Sequence, residues 1–406
     1  MEQEKLIKKQ TAYSVNIAGG KVDALRVKED LQTTIRVYDG KSIGVAGAVG
    51  NADESALRKE AEEKLSIGIP YPCMLAEGQE RSVDEGKEIV SKSDYVKTAK
   101  KLVKRLSECY PDFIFSGKIN MSDEETDYAN SKKTHFHYKG SSLVVALSIK
   151  KKSSANVFDL FYESIGDTYH EDTVVENTGR LLSVYGNELE IPDGVPVIIG
   201  TDIVFNAFSE MVAESYVSGA SLFNGKLGQK IFDSRVNVFT DRSPSQGKGI
   251  PFFDAEGVTN EGDKFYFVKD GVFSGLVTYK RSAGNFNLPL SGGAQAAFDG
   301  VPSMGVQGLC LGDTAKSIKE LVKGKAIYVW VTAGGDMTPD GTIGAPIMLA
   351  YLYEDGKLVG RLPEFGITGN VFDVLGKDFI GVAKNDVFED ANTSVLVARF
   401  KVNKNQ

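Results

Sequence analysis

The sequence predicts an α+β fold in two parts, a mixed N-terminal portion over 1–190 and a strand-rich portion over 191–406. Three observations predict it. In the first portion helical and strand-like periodicities interleave without the regular crossover spacing of a doubly wound parallel sheet. In the second, short apolar runs are broken repeatedly by glycine, and the chain's 43 glycines suit the many tight turns of a β-rich domain. At 406 residues the chain is long enough for two ordinary domains.

The elements follow in order. Residues 31–38 and 42–49 are rich in β-branched side chains and flank Asp39-Gly40, a strong hairpin turn. Asp53 then caps a helix with apolar positions Leu57, Ala61 and Leu65, ending near Gly68. Ser93 or Asp94 introduces a second helix. Its apolar residues Val96, Ala99, Leu102, Val103 and Leu106 fall at helical spacing and leave the lysines on the opposite side. Strand-like runs follow at 113–119, 134–138, 142–149 and 157–163, then a helix over 172–185 that closes at Gly186. Ile191-Pro192-Asp193-Gly194 is the expected boundary between the two parts. Beyond it, residues 195–199 read as a buried strand leading into a helix at Thr201 or Asp202. Runs at 264–268 and 272–276 flank the hairpin signal Lys269-Asp270-Gly271, and further strands are expected at 326–332, 347–353 and 394–402.

Composition limits the function. A hydrophobic content of 42% with 25% charged residues is that of a globular protein, and no apolar run approaches the roughly 20 residues that span a bilayer. The N-terminal MEQEKLIKKQTAYS has charges but no apolar signal core. Cys73, Cys109 and Cys310 are far apart and odd in number, which fits free thiols in a reducing cytoplasm. The net charge of −8 argues against general affinity for nucleic acid. The basic segment 96–106 reads first as a solvated helix face, and only second as a contact for an acidic partner.

The most informative stretch starts at Val204 and reads VFNAFSEMVAESYVSGASLFNGKLGQKIFDSRVNVFTDRSPSQGKGIPFFDAEGV. With Gly271-Val272-Phe273-Ser274-Gly275, Gly334-Gly335-Asp336 and Ile367-Thr368-Gly369-Asn370-Val371-Phe372-Asp373-Val374-Leu375 in the same order, it resembles the TldD/PmbA family. In the TldD-like branch the helix here carries His-Glu-x-x-x-His, which with a cysteine near the C-terminus holds the zinc of a metallopeptidase. This chain has Ser209, Glu210 and Glu214 at those positions, and no cysteine after Asn385-Asp386. The resemblance therefore implies the TldE-like (PmbA) branch. On that basis Glu210 matches the catalytic glutamate but has no metal-bound water to act on, and Ser209 and Glu214 become candidates for a cleft or partner contact.

Other chemistry is weakly signalled. On a continuous helix Val204, Phe208, Met211, Val212 and Ser215 would share one face, with Glu210 and Glu214 almost opposite, solvated or facing a partner. His135 and His137 lie two apart in a strand-like run and point the same way, so with His170 they form the alternative metal set; surface histidines are the plainer reading. The segment 219–223 lacks the second glycine of a nucleophile elbow, and neither a Walker loop nor a dinucleotide fingerprint occurs. The glycine-rich stretches 291–294 and 333–336 read as turns or cleft loops.

What the resemblance implies is a non-catalytic subunit of a TldD-type zinc metallopeptidase complex, in the cytoplasm, acting on unfolded or precursor peptides. No cofactor is expected on this chain, with zinc on a TldD-like partner, and neither nucleic acid nor membrane as a partner. The family's older label, modulator of DNA gyrase, gains no support from the charge balance. The alternatives are an autonomous metal-dependent peptidase with altered ligands and a homodimeric, non-enzymatic peptide-binding protein.

Overall fold

The computed structural model describes residues 1–244, 249–388 and 393–404. Part of the signature stretch, at 245–248, lies outside the described residues. The fold is α+β.

The N-terminal portion is built on very long strands. β1 (Glu2–Ala18), β2 (Lys21–Tyr38) and β3 (Ile43–Val49) are followed by α1 (Glu54–Lys64), β4 (Glu80–Glu85) and α2 (Tyr95–Cys109). Then come β5 (Phe113–Asn130), β6 (His135–Lys151), β7 (Leu160–Gly166) and α3 (Glu171–Ser183). They form a seven-stranded sheet in the order β3-β2-β1-β5-β6-β4, with β7 also on β6; only the β4–β6 pair is parallel.

The sheet buries opposite faces at its two ends. In β1, Glu4 and Leu6 are buried on one face, whereas Val15 and Ile17 are buried on the other. Neighbouring strands repeat the switch: Thr126 and Tyr128 against Ile119 and Met121 in β5, Phe136 and Tyr138 against Leu143 and Val145 in β6. Alternation fixes which residues share a face, so a strand of this length can serve a different partner at each end. At one end α2 supplies Tyr95, Ala99, Leu102, Val103 and Leu106 to the core, where each buried leucine contributes roughly 1.5–3 kcal/mol. At the other end the sheet receives Phe252 and Phe253 from the signature stretch.

Sequence expectations and structure differ at instructive places. The Asp39 turn is present, with the Asp39 carboxylate accepting from the amides of Lys41 and Ser42. Asp53 caps α1 as expected, accepting from Ser55 and Ala56. The expected strands at 134–138 and 142–149 are one strand, β6, which changes its buried face between Tyr138 and Leu143. The cations of α2 are partly paired rather than simply solvated: Arg105 meets Glu171 at 3.1 Å and Asp172 at 2.5 Å, and Lys101 meets Glu171 at 3.2 Å.

Beyond α3 the elements shorten. β8 (Val197–Gly200) leads into α4 (Phe205–Phe208) and α5 (Ala213–Ser218), then β9 (Val238–Asp241), β10 (Lys264–Lys269) and β11 (Val272–Phe273). α6 (Lys280–Phe286), β12 (Ala294–Gln295), β13 (Ser303–Met304), β14 (Leu309–Leu311) and α7 (Ile318–Leu321) follow. The remainder is β15 (Lys325–Thr332), β16 (Asp336–Met337), β17 (Thr342–Glu354), β18 (Lys357–Leu362), β19 (Phe365–Asn370), α8 (Val371–Val374), β20 (Phe379–Lys384), β21 (Ser394–Ala398) and β22 (Lys401–Lys404). A nine-stranded sheet runs β20-β21-β8-β15-β17-β19-β22, with β16 and β18 also on β17. Smaller sheets join β11-β10-β9-β14 and β12-β13. The β10–β11 hairpin turns through Asp270 and Gly271, both at positive φ, as the sequence signal requires. Ile198, Tyr328, Tyr351 and Tyr353 of the large sheet enter the same core as α2, α3 and the long strands, so apolar packing continues across residues 191–194.

Candidate functional site

The signature helix is interrupted. After a 3-10 turn over Thr201–Val204 come α4, a further 3-10 turn over Ser209–Met211, and then Val212 with extended angles of φ −75° and ψ 136° before α5 begins. The interruption is a piece of sheet pairing: Ala213 donates its amide to Val277 O at 3.1 Å, and Val277 donates to Met211 O at 2.8 Å. Glu210 and Glu214 therefore do not lie one turn apart on a continuous helix, contrary to the sequence expectation. Local hydrogen bonds compete with the helix here. The Ser209 hydroxyl donates back to Asn206 O at 2.6 Å, and the Ser221 hydroxyl donates to Glu210 O at 2.5 Å.

Ser209 is exposed, whereas Glu210 and Glu214 are half-buried. The Oε2 of Glu214 is shielded from solvent. Nearby, the phenol of Tyr279 is pushed up first by burial and then by the Glu214 charge. Among the described residues no third His, Cys, Asp or Glu gathers with Glu210 and Glu214 into a metal-sized group. A zinc centre of the kind the resemblance implies needs three or four such donors, so these residues do not fit one.

The Phe253-Asp254-Ala255-Glu256-Gly257-Val258 motif sits in a buried network of charges that joins both parts of the chain. Asp254 Oδ1 accepts from the amides of Glu256 and Val258, and Oδ2 accepts from Ala294, which closes the loop on itself. Glu256, wholly buried, accepts from the Tyr71 hydroxyl at 2.6 Å and from the Lys280 amide at 2.8 Å. The Lys280 ammonium donates to Glu256 O at 2.8 Å and reaches Glu4 of β1 at 3.2 Å. Glu4 also accepts from Arg36 at 2.8 Å and from the hydroxyls of Tyr38 and Tyr128, both at 2.9 Å. Arg36 in turn donates to Ala255 O at 2.7 Å. Gly257 has φ +69°, and a Cβ there would stand 2.3 Å from the Tyr128 ring, so only glycine seats this loop on the sheet.

Burial sets the electrostatics of this network. Desolvation works against the Glu4 charge, but Lys280 and Arg36 outweigh it and hold the carboxyl below its ordinary range. Glu256 goes the other way: burial, with the Asp254 charge beside it, raises it to about 7 despite Lys280. None of Glu4, Arg36 or Lys280 was marked by sequence reasoning. Their spacings are tens to hundreds of residues: the pairing of β1 with β2 sets Glu4 opposite Arg36, and α6 brings Lys280 to them beside the signature loop.

The histidines separate. His137 lies opposite Asp127 across the β5–β6 ladder, with its Nδ1 2.9 Å from Asp127 Oδ1, and His135 Nε2 is 3.7 Å from the same oxygen. His170 instead precedes α3 and lines a cleft of about 440 Å³ with Val90, Thr98 and Lys101. Among the described residues, the ligand-sized group that forms is Glu125, Asp127 and His137. Its carboxylates come from a strand that sequence reasoning did not pair with the histidines.

The profile of the PmbA/TldA metallopeptidase C-terminal domain matches residues 193–404, more than half of the chain. The chain belongs to the PmbA/TldD family. Over 168 residues it is 26% identical to a metalloprotease of Methanocaldococcus jannaschii, a match covering 41% of this chain and 37% of that one. The chain spans less than half the length of the curated metalloproteases it matches. An uncharacterized protein of the same organism is 21% identical over 95% of this chain and 92% of its own. In fold the chain is similar to the crystal structure of TldE from Thermococcus kodakarensis, with a TM-score of 0.82 at 19% identity, covering 99% and 97% of the two chains. No helix among the described residues is long and apolar enough to cross a membrane.

Proposed function

We propose that this chain is the TldE-like subunit of a TldD-type peptidase complex, with no catalytic metal at its signature segment, zinc for catalysis carried by a TldD-like partner, and unfolded or precursor peptides as substrates. The observation that carries the reading is the signature segment itself. Its three motif positions hold Ser209, Glu210 and Glu214, the helix breaks at Val212, and among the described residues no further donor joins them. Similarity to a TldE structure along nearly the whole chain supports the same assignment. On this reading the chain acts in the cytoplasm as two domains, 1–190 and 191–406, and completes a cleft wall.

A peptide held extended by strand addition has a suitable edge available. β3 pairs with residues 32–38 of β2 and leaves 21–30 at the margin of the sheet, where Leu25 and Val27 are 44% and 47% exposed. Backbone hydrogen bonds along such an edge bind with little sequence preference. The test is a peptidase assay on an unfolded polypeptide with this chain alone, a TldD-like chain from the same host alone, and the two together. The reading requires activity from the mixture and none from this chain alone. Zinc-dependent cleavage by this chain alone would overturn it.

A further inference from the structure

We propose that Glu125, Asp127, His135 and His137 form a binding site for a zinc-like divalent transition metal on the face of the seven-stranded sheet opposite Tyr128. The inference is independent of the proposed function, since none of these residues belongs to the signature segment.

Asp127 of β5 lies directly opposite His137 of β6, and the alternation of each strand puts Glu125 and His135 on that same face. One ligand atom from each of Glu125, Asp127 and His137 already lies within 4.8 Å of the other two. His135 Nε2 stands 3.7 Å from Asp127 Oδ1 but outside that mutual group, so its side chain, 56% exposed, must swing inward to become a fourth donor. Ligand atoms around a tetrahedral zinc stand roughly 3.3–3.5 Å apart, so Glu125, Asp127 and His137 draw together on an ion by side-chain movement on the order of an ångström. The support is rigid: β5 and β6 pair along residues 113–129 and 135–151, and each has another strand on its far side. Sites on paired strands hold their ligands better than sites on loops.

The neighbouring charges select the kind of cation. Glu125 has Lys139 opposite it on β6 and Lys9 opposite it on β1. Two lysines offset the two carboxylates, so a hard cation drawn by negative charge gains little here. Two imidazoles beside two carboxylates favour zinc, nickel or copper over calcium or magnesium. The site lies behind Thr126, Tyr128, Phe136 and Tyr138, the surface on which the signature loop rests. A bound ion would tie β5 to β6 at that point and stiffen the seat of Gly257.

The experiment uses the untagged full chain, dialysed against zinc and analysed for metal and for thermal unfolding. The expected result is one zinc per chain at low micromolar free zinc, undisturbed by excess magnesium or calcium, with a zinc-dependent rise in Tm. His137→Ala and Asp127→Asn should each weaken binding at least about tenfold and remove the Tm rise. His137 is 27% exposed and Asp127 37% exposed, so both variants are expected to fold, and their metal-free melting curves check this. No zinc bound by the wild-type chain would overturn the inference and leave the proposed function standing. Zinc retained by both variants but lost from a Glu210→Gln, Glu214→Gln double variant would overturn both.

Discussion

Replacing Glu4 with glutamine preserves its volume and removes its charge from a buried site where four side chains donate to it. Glu4 is 2% exposed, and the two cations that bracket it, Arg36 and Lys280, are each 1% exposed. Breaking a buried pair by removing one partner's charge costs about 3–5 kcal/mol, because the other charge is left uncompensated. Arg36 keeps its bond to Ala255 O and Lys280 keeps Glu256 O, which places the expected loss at the lower end, about 3 kcal/mol. Unfolding entropy of about 2.1 cal/mol/K per residue, summed over the 406 residues, converts this to a fall in Tm of about 4 °C for a chain that unfolds as one unit. Scanning calorimetry at neutral pH measures it directly. Glu54→Gln is the control: Glu54 pairs with Lys5 at 2.8 Å at the surface, with 51% of its side chain exposed, and its loss should lower Tm by less than about 1 °C. Indistinguishable melting of the Glu4→Gln and Glu54→Gln variants would refute the view that this network locks the signature loop onto the long strands.

Further expectations concern the same loop. Gly257→Ala should cost about 3 kcal/mol, from the positive φ together with the clash against Tyr128. Gly262→Ala, at φ +59° with open space around it, should cost only about 1 kcal/mol, and equal losses in urea titrations would contradict the packing argument. Glu256 should make stability fall with rising pH. Its folded pKa of about 7 lies above the ordinary 4.5, so its contribution is fully present below pH 4.5 and is lost as pH rises through 7. The full swing is about 3 kcal/mol, and Glu256→Gln should flatten the Tm profile between those limits; an unchanged profile would show that Glu256 is not the titrating group. Glu4, held low, acts in the opposite direction and only in acid, as pH drops below its ordinary value.

Local chemistry was legible in the sequence wherever a turn or cap identified it. Asp39-Gly40, Asp53 and Asp270-Gly271 each act within a few residues, and α2 carries an uninterrupted apolar stripe. The long strands were legible only in pieces. Residues 2–18, where no strand was expected, form one whose buried positions pass from Glu4 and Leu6 to Val15 and Ile17, so no single alternation runs its length. The same switch in β6 made one strand read as two. The signature helix was misjudged for a tertiary reason: Val212 is drawn into pairing with Val277, and a helical pattern cannot announce a partner 65 residues away. Of the candidate residues, Ser209, Glu210 and Glu214 were found by motif. The carboxylates that actually face His137 depend on the β5–β6 register, and the Glu4 network depends on contacts spanning 32, 124 and 276 residues.

On the proposed function, Glu210 and Glu214 serve no metal-bound water. Its most direct test is the Glu210→Gln, Glu214→Gln double variant, assembled with a TldD-like chain and assayed for cleavage of an unfolded polypeptide, with assembly checked by size-exclusion chromatography. Peptidase activity within about twofold of the wild-type complex is expected, whereas removing a catalytic base would cost at least about a hundredfold in kcat. A loss of that size with the complex intact would contradict it and place a working catalytic group on this chain.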